Sequence, residues 1–410
     1  MKDMTYLKKL PVTVIGAGAV GKAIAADTKL SGQNVRLYHS LPRGERVLFN
    51  VDRTGIELNG KQRNLYNFKR SGVAKLDMVT TDISEAMAGA GIITVALPAF
   101  AHEETFRDMI PHLEDGQVIH IFTSNFGTLL FRKLMREMNC TKDVIIGGWS
   151  SSPFGTRIET VGGFTFPNCT ISYRAITLRG AAIPMTDSDA FIESANYLGC
   201  LDAMTSGDGA IKGDTVLDIG FSNVNPVIHV PATVLGVSTM ENWGKIFGDY
   251  DSTNYSMYSH ALSPSICEVQ YQFYNEEIAL ADEIGVDLGR YDKEDFFSRR
   301  SILALEYMGK GNMHLPLDEP SAEGNVGPDS VYHRYITEDV PVGCKIYHEL
   351  GKAYNVNTPV IDSMIVLASA MVGENYFEKG YTLEYLGIND MSKAELLSYL
   401  NDGEVTISSK

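Results

Sequence analysis

An asparagine and a histidine lie four residues apart in the segment FSNVNPVIHVP, residues 221–231, among small and apolar neighbours. On a helix this spacing places Asn225 and His229 on one face. Histidine is the side chain best suited to exchange a proton near neutral pH. The pair therefore indicates an acid–base centre. The structural alternative is that Asn225 is only a helix N-cap and His229 a hydrogen-bonded core residue.

A cation and an acid follow later, in HRYITEDVPVG, residues 333–343. Arg334 could hold a carboxylate, and Asp339 could orient an imidazole or steady a protonated amine. Together with His229 they suit hydride transfer to C=O or C=N, because that reaction needs a proton donor beside the reacting carbon. The alternative is a surface ion pair of Arg334 with Asp339, which would contribute little.

Near the N-terminus, the sequence predicts a strand, a glycine-rich turn, a helix and a second strand. The first strand is PVTVI (11–15), the helix ends at Gly32, and NVRLYH (34–39) is the second strand. Such glycines make a tight turn, let the backbone approach a pyrophosphate and let helix and strand pack closely, while the helix N-terminus attracts phosphate. This context favours a dinucleotide site over a chance glycine turn. Its predicted contacts are Gly16, Gly18, Ala19, Val20 and Gly21.

The end of the second predicted strand bears on the choice between NAD and NADP. NAD enzymes of this fold often place Asp or Glu there to bond the ribose 2′-hydroxyl. Here the residues are His39 and Ser40, with Arg43 and Arg46 following, and no carboxylate. Because guanidinium pairs well with phosphate, we expect NADP, with His39, Ser40 and Arg43 as contacts. The alternative is that Arg43 is a solvated surface residue and NAD binds without the acid.

The remaining sequence predicts two domains of different character. GIITVALP (91–98), GQVIHIF (116–122) and VIIGGW (144–149) are predicted buried strands, so the first half is an α/β, Rossmann-type doubly wound sheet. We expect this domain at 1–203 and a mostly α-helical C-terminal domain at 204–410. There, Ser263 caps a helix that Gly285 closes, and Thr358-Pro359 opens a helix so apolar that we expect it to be buried. LPLDEPSAEGNVGPDS (315–330) is predicted to be a long loop.

Composition excludes several classes of function. With 35 basic and 51 acidic residues the net charge is −16, which argues against nucleic acid and anionic membranes as partners. The sequence contains no run of 18 apolar residues, so no membrane span is predicted. Five scattered cysteines indicate reduced thiols in a cytoplasmic protein. The nine histidines form no HxxxH or HExxH pattern, so no metal is expected.

Four segments together resemble the opine dehydrogenases of the octopine and nopaline type. They are the glycine turn, VALPAFAHEETFRDMIPHLEDG (95–116), IHVPATVLG (228–236) and RYITEDVPVG (334–343). The third matches the segment that carries the family's catalytic histidine, and the fourth resembles its Arg-Tyr-hydrophobic-Thr-Glu-Asp signature. The two C-terminal motifs are fairly specific, and the resemblance covers most of the chain in the family's order.

This resemblance implies an NAD(P)H-dependent condensation of a 2-oxo acid, usually pyruvate, with the amine of an amino acid. The imine is reduced to a secondary amine dicarboxylic acid. His229 would be the acid/base, Asp339 its charge partner and Arg334 a ligand of a substrate carboxylate. Asn225 would orient substrate or His229.

The resemblance also implies a nicotinamide end formed by Leu97, Pro98, Ala99 and His102. For His102 the alternative is a helix N-terminal residue without substrate contact.

One segment departs from the family. GWSSSPFGTRI (148–158) lies where the family has a Glu-Thr-Leu-Pro-like stretch against the amino acid substrate. Serines replace the acid, which makes a basic amino acid less expected than a small, apolar or neutral one. Ser151 and Arg157 are the predicted substrate contacts from this segment, and Arg157 keeps the family pattern.

Two other functions are alternatives to this one. A 2-hydroxyacid or ketopantoate-type reductase typically uses a lysine, or a Lys–Asn pair, as proton donor, and Lys212 and Lys245 lie in no recognisable motif of that kind. A non-enzymatic NAD(P)-sensing module would need no His–Asp–Arg set. A homodimer is one candidate for the oligomeric state.

Overall fold

The computed structural model describes residues 3–60, 70–175, 177–202, 209–248, 250, 254–296 and 326–404. Its contacts divide the chain into two units. The first unit contains the described residues up to Ile219 and those from Ser398 onward. The second unit lies between Gly220 and Leu397. The loop predicted at 315–330 lies outside the described residues except for 326–330.

The first unit is an α/β unit. Its described strands are β1 (Val12–Ile15), β2 (Val35–Tyr38), β3 (Ile56–Gly60), β4 (Gly72–Ala74), β5 (Met78–Thr80), β6 (Ile92–Val95), β7 (Val118–Ile121), β8 (Ile145–Trp149), β9 (Phe154–Val161), β10 (Phe164–Arg174), β11 (Thr177–Ile183) and β12 (Gly209–Lys212). Its described helices are α1 (Ala19–Leu30), α2 (Gly44–Val47), α3 (Val51–Thr54), α4 (Ile83–Met87), α5 (His102–Met109), α6 (Gly127–Glu137), α7 (Ser188–Ser194) and α8 (Val216–Phe221).

The main sheet has the strand order β12-β11-β8-β7-β6-β1-β2-β5. From β5 to β8 all neighbours are parallel, in the order of a dinucleotide-binding doubly wound sheet. Every residue of β1, β6, β7 and β8 is buried, as expected where helices cover both faces of a parallel sheet. The predicted Rossmann-type fold class is confirmed.

A second sheet, in the order β4-β3-β10-β9, was not predicted. It pairs β3 parallel to β10, although more than a hundred residues separate their partners Leu58 and Cys169. Pairing at that distance leaves no local signal in the sequence, whereas the strands of the main sheet are marked by continuous apolar runs.

The main sheet also continues past the domain boundary expected at residues 203 and 204. Strand β12 pairs parallel to β11, with Gly209 opposite Thr177. The first unit therefore extends to Ile219, inside α8. The strand GAIK is too short and too little apolar for its sequence to indicate it.

The described part of the second unit is helical, apart from a single bridge between Ser256 and Gly327. Its helices are α9 (Asn225–Leu235), α10 (Val237–Glu241), α11 (Trp243–Phe247), α12 (Pro264–Ile284), α13 (Lys293–Phe296), α14 (Arg334–Thr337), α15 (Lys345–Tyr354), α16 (Pro359–Val372), α17 (Tyr376–Lys379), α18 (Leu383–Leu386) and α19 (Lys393–Asp402), which continues into the first unit. Two single π-helical turns lie at Met257–Ala261 and Val340–Cys344. The predicted mostly helical second domain is confirmed.

Helix α12 begins and ends where the sequence indicates. The Ser263 hydroxyl accepts the Ile266 N–H, and Gly285 closes the helix at φ 88°. Helix α16 differs from the expectation, because Val366 and Leu367 are 54% and 39% exposed. Only one face of α16 packs against this unit.

No single helix among the described residues combines the length and hydropathy of a membrane span. Two consecutive helical segments, Pro359–Val372 and Tyr376–Leu386, together have the length and composition of a span. The chain bends by 107° between them.

Candidate active site

The glycine turn between β1 and α1 has the shape of a phosphate cradle. Gly16 has φ 104°, and a Cβ there would lie 2.6 Å from the Ala96 carbonyl oxygen. A Cβ at Gly21 would lie 1.7 Å from the Gly16 carbonyl oxygen, so only glycine lets α1 pack on the turn. Gly18 is exposed at the N-cap of α1, without a side-chain cap, and a Cβ at Gly18 would meet nothing within 4 Å. The first turn of α1, with Ala19 and Val20, can therefore receive a pyrophosphate.

The residues that follow β2 suit the adenosine end of such a cofactor. The His39 ring is partly buried, with Nδ1 3.5 Å from the Ala17 nitrogen. Its pKa is lowered by burial and by the neighbouring charges of Arg43 and Lys22, which favours a neutral ring. Ser40 and Arg43 are exposed. This exposure is compatible with contact to a ribose 2′-substituent and equally with the alternative that Arg43 is a solvated surface residue.

The loop after β6 contains the predicted nicotinamide-end residues. Leu97 and Pro98 are half-buried and Ala99 is buried. His102 is fully buried, and its Nε2 lies 3.2 Å from the Leu97 carbonyl oxygen. A Cβ at Gly127 would lie 2.8 Å from its Nδ1, and burial lowers the His102 pKa to about 4. This geometry favours the alternative for His102, a neutral ring that holds the loop and has no ligand contact.

In the second unit, a buried cluster surrounds His229 on α9. Its Nδ1 lies 2.8 Å from Asp339 Oδ2, and its Nε2 lies 2.9 Å from the Tyr258 hydroxyl oxygen. The Tyr335 ring stacks on His229, with ring centroids 3.6 Å apart. His229 and Asp339 are 7% and 4% exposed. The structure thus brings together two of the predicted catalytic residues and adds two tyrosines.

A close packing contact holds the Asp339 segment against α9. A Cβ at Gly343 would lie 2.4 Å from Pro226 Cγ, so the turn Val340–Cys344 can pack this closely only with glycine. Asp339 immediately precedes that turn. The His229 and Asp339 segments, 110 residues apart in sequence, therefore meet at two contacts. One is Gly343 against Pro226, and the other is the His229–Asp339 pair.

The cluster defines which nitrogen of His229 exchanges a proton. A carboxylate only accepts hydrogen bonds, so Nδ1 carries its hydrogen toward Asp339. In the neutral ring, Nε2 then accepts the Tyr258 hydroxyl, and in the imidazolium Nε2–H donates to the Tyr258 oxygen. Asp339 stabilises the imidazolium, as the carboxylate does in other acid–base pairs of histidine.

Arg334 forms an ion pair with an acid that the sequence analysis did not single out. Its Nε lies 3.2 Å from Glu338 Oε2 on the same helical turn, and Asp339 faces His229 instead. The expected alternative, a surface pair of Arg334 with Asp339, is therefore wrong. The Arg334 side chain is 55% exposed, so its guanidinium is accessible to an anion.

Asn225 begins α9, one turn before His229. It is not the N-cap considered in the structural alternative, because Val224 has that position and the Asn225 N–H donates to Asn223 Oδ1 at 3.2 Å. Its side chain is half-buried on the helix that carries His229.

Ser151 and Arg157 belong to the first unit. Ser151 is buried just after β8. Arg157 is exposed on β9, and its Nη1 donates to the Thr156 carbonyl oxygen at 3.2 Å. Among the described residues, no hydrogen bond joins Ser151 to Arg157.

Sequence reasoning missed the two tyrosines of the cluster and the neighbouring His333, which contacts Tyr335. Tyr335 and His333 lie in the segment HRYITEDVPVG, and His333 accepts the Tyr335 N–H at 3.4 Å. The His333 pKa is lowered to about 4 by burial and by the charges of His229 and Arg334. Tyr258 lies in NYSMYSH, which carries no recognisable pattern. In the described part of the chain, no group of three or more His, Cys, Asp or Glu could hold a metal ion.

A doubly wound sheet with a phosphate cradle, followed by a helical unit with a buried His–Asp pair, defines a nicotinamide-dependent dehydrogenase. The model of the NAD-dependent glycerol-3-phosphate dehydrogenase N-terminus matches residues 11–137. The model of the NAD/NADP octopine/nopaline dehydrogenase alpha-helical domain matches residues 212–372. These two matches and the relatives below support the opine dehydrogenase family, and the chain is an NAD(P)-dependent oxidoreductase.

Individual relatives agree with this assignment. The opine dehydrogenase of Arthrobacter sp. (strain 1C) is 27% identical over 389 residues, 94% of this chain and 97% of that protein. The tauropine dehydrogenase of Arabella iricolor is 26% identical over 331 residues, 75% and 77% of the two chains. An octopine dehydrogenase solved with NADH and agmatine has a TM-score of 0.72 at 18% identity, covering 98% of this chain and 100% of that one, and so shares the fold.

Proposed function

We propose that the protein catalyses the NAD(P)H-dependent reductive condensation of a pyruvate-like 2-oxo acid with the amine of an amino acid, and the reverse reaction. The product is a secondary amine dicarboxylate. The observation that carries this proposal is the buried His229–Asp339 pair, 2.8 Å long, in a chain that also has a dinucleotide cradle. Similarity to the opine dehydrogenases supports the same reaction class.

The chemistry requires one proton and one hydride. Attack of the amine on the oxo carbon forms a C–N bond, and one amine proton moves to the oxo oxygen. A second proton lets this oxygen leave as water, which gives an iminium ion. The imidazolium of His229 supplies this second proton from Nε2, because its Nδ1–H is held by Asp339. When bound, the cofactor supplies the hydride that converts the iminium carbon to the secondary amine. In the reverse direction His229 takes the proton back.

The turn residues Gly16, Gly18, Ala19, Val20 and Gly21 are proposed to hold the cofactor pyrophosphate. His39, Ser40 and Arg43 are proposed for the adenosine ribose, which favours NADP, with NAD as the alternative. The loop residues Leu97, Pro98 and Ala99 are proposed near the nicotinamide.

Arg334 is proposed to bind a substrate carboxylate, because its guanidinium is exposed on the helical turn that precedes Asp339. Asn225 is proposed to orient substrate from the helix that carries His229. Ser151 and Arg157 are the proposed amino acid contacts of the first unit. The serines in place of an acid favour a small, apolar or neutral amino acid.

A spectrophotometric assay tests the proposal. We would follow loss of NADPH and of NADH absorbance with pyruvate alone and with each common amino acid, in wild type and in His229→Ala. The proposal expects oxidation only when an amine is present, and its loss in the variant. Reduction of pyruvate or ketopantoate without amine would support the 2-hydroxyacid or ketopantoate-type reductase instead.

The chain offers a matched control for His229→Ala. His348 forms another His–Asp pair in the second unit, with Nδ1 2.8 Å from Asp362 Oδ1, but Asp362 is 39% exposed. His348→Ala therefore removes a pair of the same length outside the buried cluster. We expect this variant to keep the amine-dependent activity of wild type.

Two further properties belong to the proposal. A cytoplasmic location fits the five free cysteines, four of which are buried thiols. A homodimer could cover the exposed Val366 and Leu367 of α16. Cell fractionation and light scattering would test these two statements.

A further inference from the structure

Tyr258 contacts the nitrogen of His229 that the proposed reaction needs. Its hydroxyl oxygen lies 2.9 Å from Nε2, and both residues are buried. We propose that the Tyr258 hydroxyl relays the proton between His229 Nε2 and the oxygen of the substrate. This inference rests on the proposed function and adds a catalytic residue to it.

Within the part of the chain that the structure describes, the surroundings of His229 leave one route for its proton. Nδ1 is committed to Asp339, and the Tyr335 ring covers one face of the imidazole. Proton exchange with a ligand must therefore pass through Nε2. Direct donation from Nε2 would first require breaking its bond to Tyr258, whereas a relay uses that bond as it stands.

The relay is balanced in protons. The Nε2–H of the imidazolium donates to the phenol oxygen, and the phenol hydrogen points to the oxo oxygen of the substrate. As the phenol O–H bond breaks and a substrate O–H bond forms, the proton of Nε2 moves to the phenol oxygen. Imidazole and phenol both end neutral, and the substrate has gained one proton. The reverse reaction runs the same transfers backwards.

The tyrosine is positioned by the helix that carries the histidine. Thr233 lies one helical turn after His229 on α9, and its hydroxyl donates to Met257 Sδ at 3.6 Å. Met257 begins the π-helical turn that contains Tyr258, and the Met257 N–H donates to the Gly327 carbonyl oxygen at 2.9 Å. One face of α9 thus sets the position of both groups.

The contact is made by the hydroxyl and not by ring packing. The rings of His229 and Tyr258 are nearly perpendicular, at 78°, with centroids 6.2 Å apart. Removing only the oxygen atom, in Tyr258→Phe, therefore deletes the hydrogen bond while the packing of the ring is kept. This makes the conservative variant a direct test of the relay.

The relay predicts a specific kinetic change in Tyr258→Phe. We expect kcat to fall about 100-fold, the lower end of what a positioned proton donor contributes, with KM for the amino acid little changed. If the hydroxyl instead only blocks Nε2 until substrate displaces it, kcat/KM would stay the same or rise. Either of those results overturns the relay.

A second measurement does not depend on a variant. A relay moves two protons in the same step, so kcat of wild type should depend nonlinearly on the fraction of D₂O in the solvent. A linear dependence would contradict the relay. In Tyr258→Phe we expect the nonlinear dependence to disappear.

The control variant is Tyr354→Phe. It removes another tyrosine hydroxyl of the second unit, which donates to the Met391 carbonyl oxygen at 3.1 Å, outside the His229 cluster. We expect wild-type kinetics, and melting temperatures would show that both variants fold. Wild type is assayed first, so a lack of amine-dependent oxidation would reject the proposed function together with the relay. Wild-type activity with unchanged kcat in Tyr258→Phe would reject the relay alone.

Discussion

Replacing Asp339 by asparagine tests the pairing on which the proposed chemistry depends. The variant keeps the shape of the side chain but removes the charge that accepts the His229 Nδ1–H at 2.8 Å. A hydrogen bond to a charged group contributes about 1.5–3 kcal/mol. That stabilisation acts on the imidazolium, so its loss should lower kcat about 10- to 150-fold, at about 1.4 kcal/mol per factor of ten.

The assay is amine-dependent NAD(P)H oxidation with saturating substrates, beside a melting curve for each protein. Asp362→Asn is the matched control, because it alters the partly exposed pair with His348 and should leave kcat unchanged. An Asp339→Asn enzyme that folds and keeps the kcat of wild type would refute the reasoning, since His229 would then act without its charge partner.

Three other changes test separate parts of the structure. In Arg43→Ala we expect KM for NADPH to rise roughly fivefold, for an exposed charge-assisted bond of about 1 kcal/mol, and KM for NADH to stay constant; an equal rise for both cofactors would exclude a 2′-phosphate contact. In Gly343→Ala the new methyl would lie 2.4 Å from Pro226 Cγ, so we expect a loss of about 1–3 kcal/mol in the free energy of unfolding and a lower kcat. Gly289→Ala, where a Cβ meets nothing within 4 Å, is its control, and equal melting temperatures of the two variants would contradict the packing argument. Burial lowers the pKa of His120 from 6.5 to about 3, so below pH 6.5 the unfolded chain binds a proton that the folded ring does not. The free energy of unfolding should therefore fall as the pH decreases from 6.5 toward 3, by up to about 1.4 kcal/mol per pH unit for this group; His120→Gln should reduce that slope in denaturant titrations, and an unchanged slope would show that other groups cause it.

The sequence predicted those parts of the fold that local signals determine. The glycine turn and α12 were recognised because capping residues and glycines lie beside the apolar runs they end. The second sheet and β12 were missed because their pairing joins distant segments, as between Leu58 and Cys169.

The candidate site was predictable to a similar extent. His229 and Asp339 have residue types and motif contexts that indicate chemistry, so both were predicted although 110 residues separate them. Tyr258 was not predicted, because only packing of its turn against α9 brings the hydroxyl to Nε2. The ion pair of Arg334 with Glu338 was not predicted, although their spacing of four residues along a helical turn favours it.

Product analysis tests the central claim most directly. Wild-type protein would be incubated with NAD(P)H, pyruvate and an amino acid labelled with heavy nitrogen, and the product identified by mass spectrometry. The account predicts a secondary amine that contains the carbon skeletons of both substrates and the labelled nitrogen. Lactate as the only reduced product would contradict it.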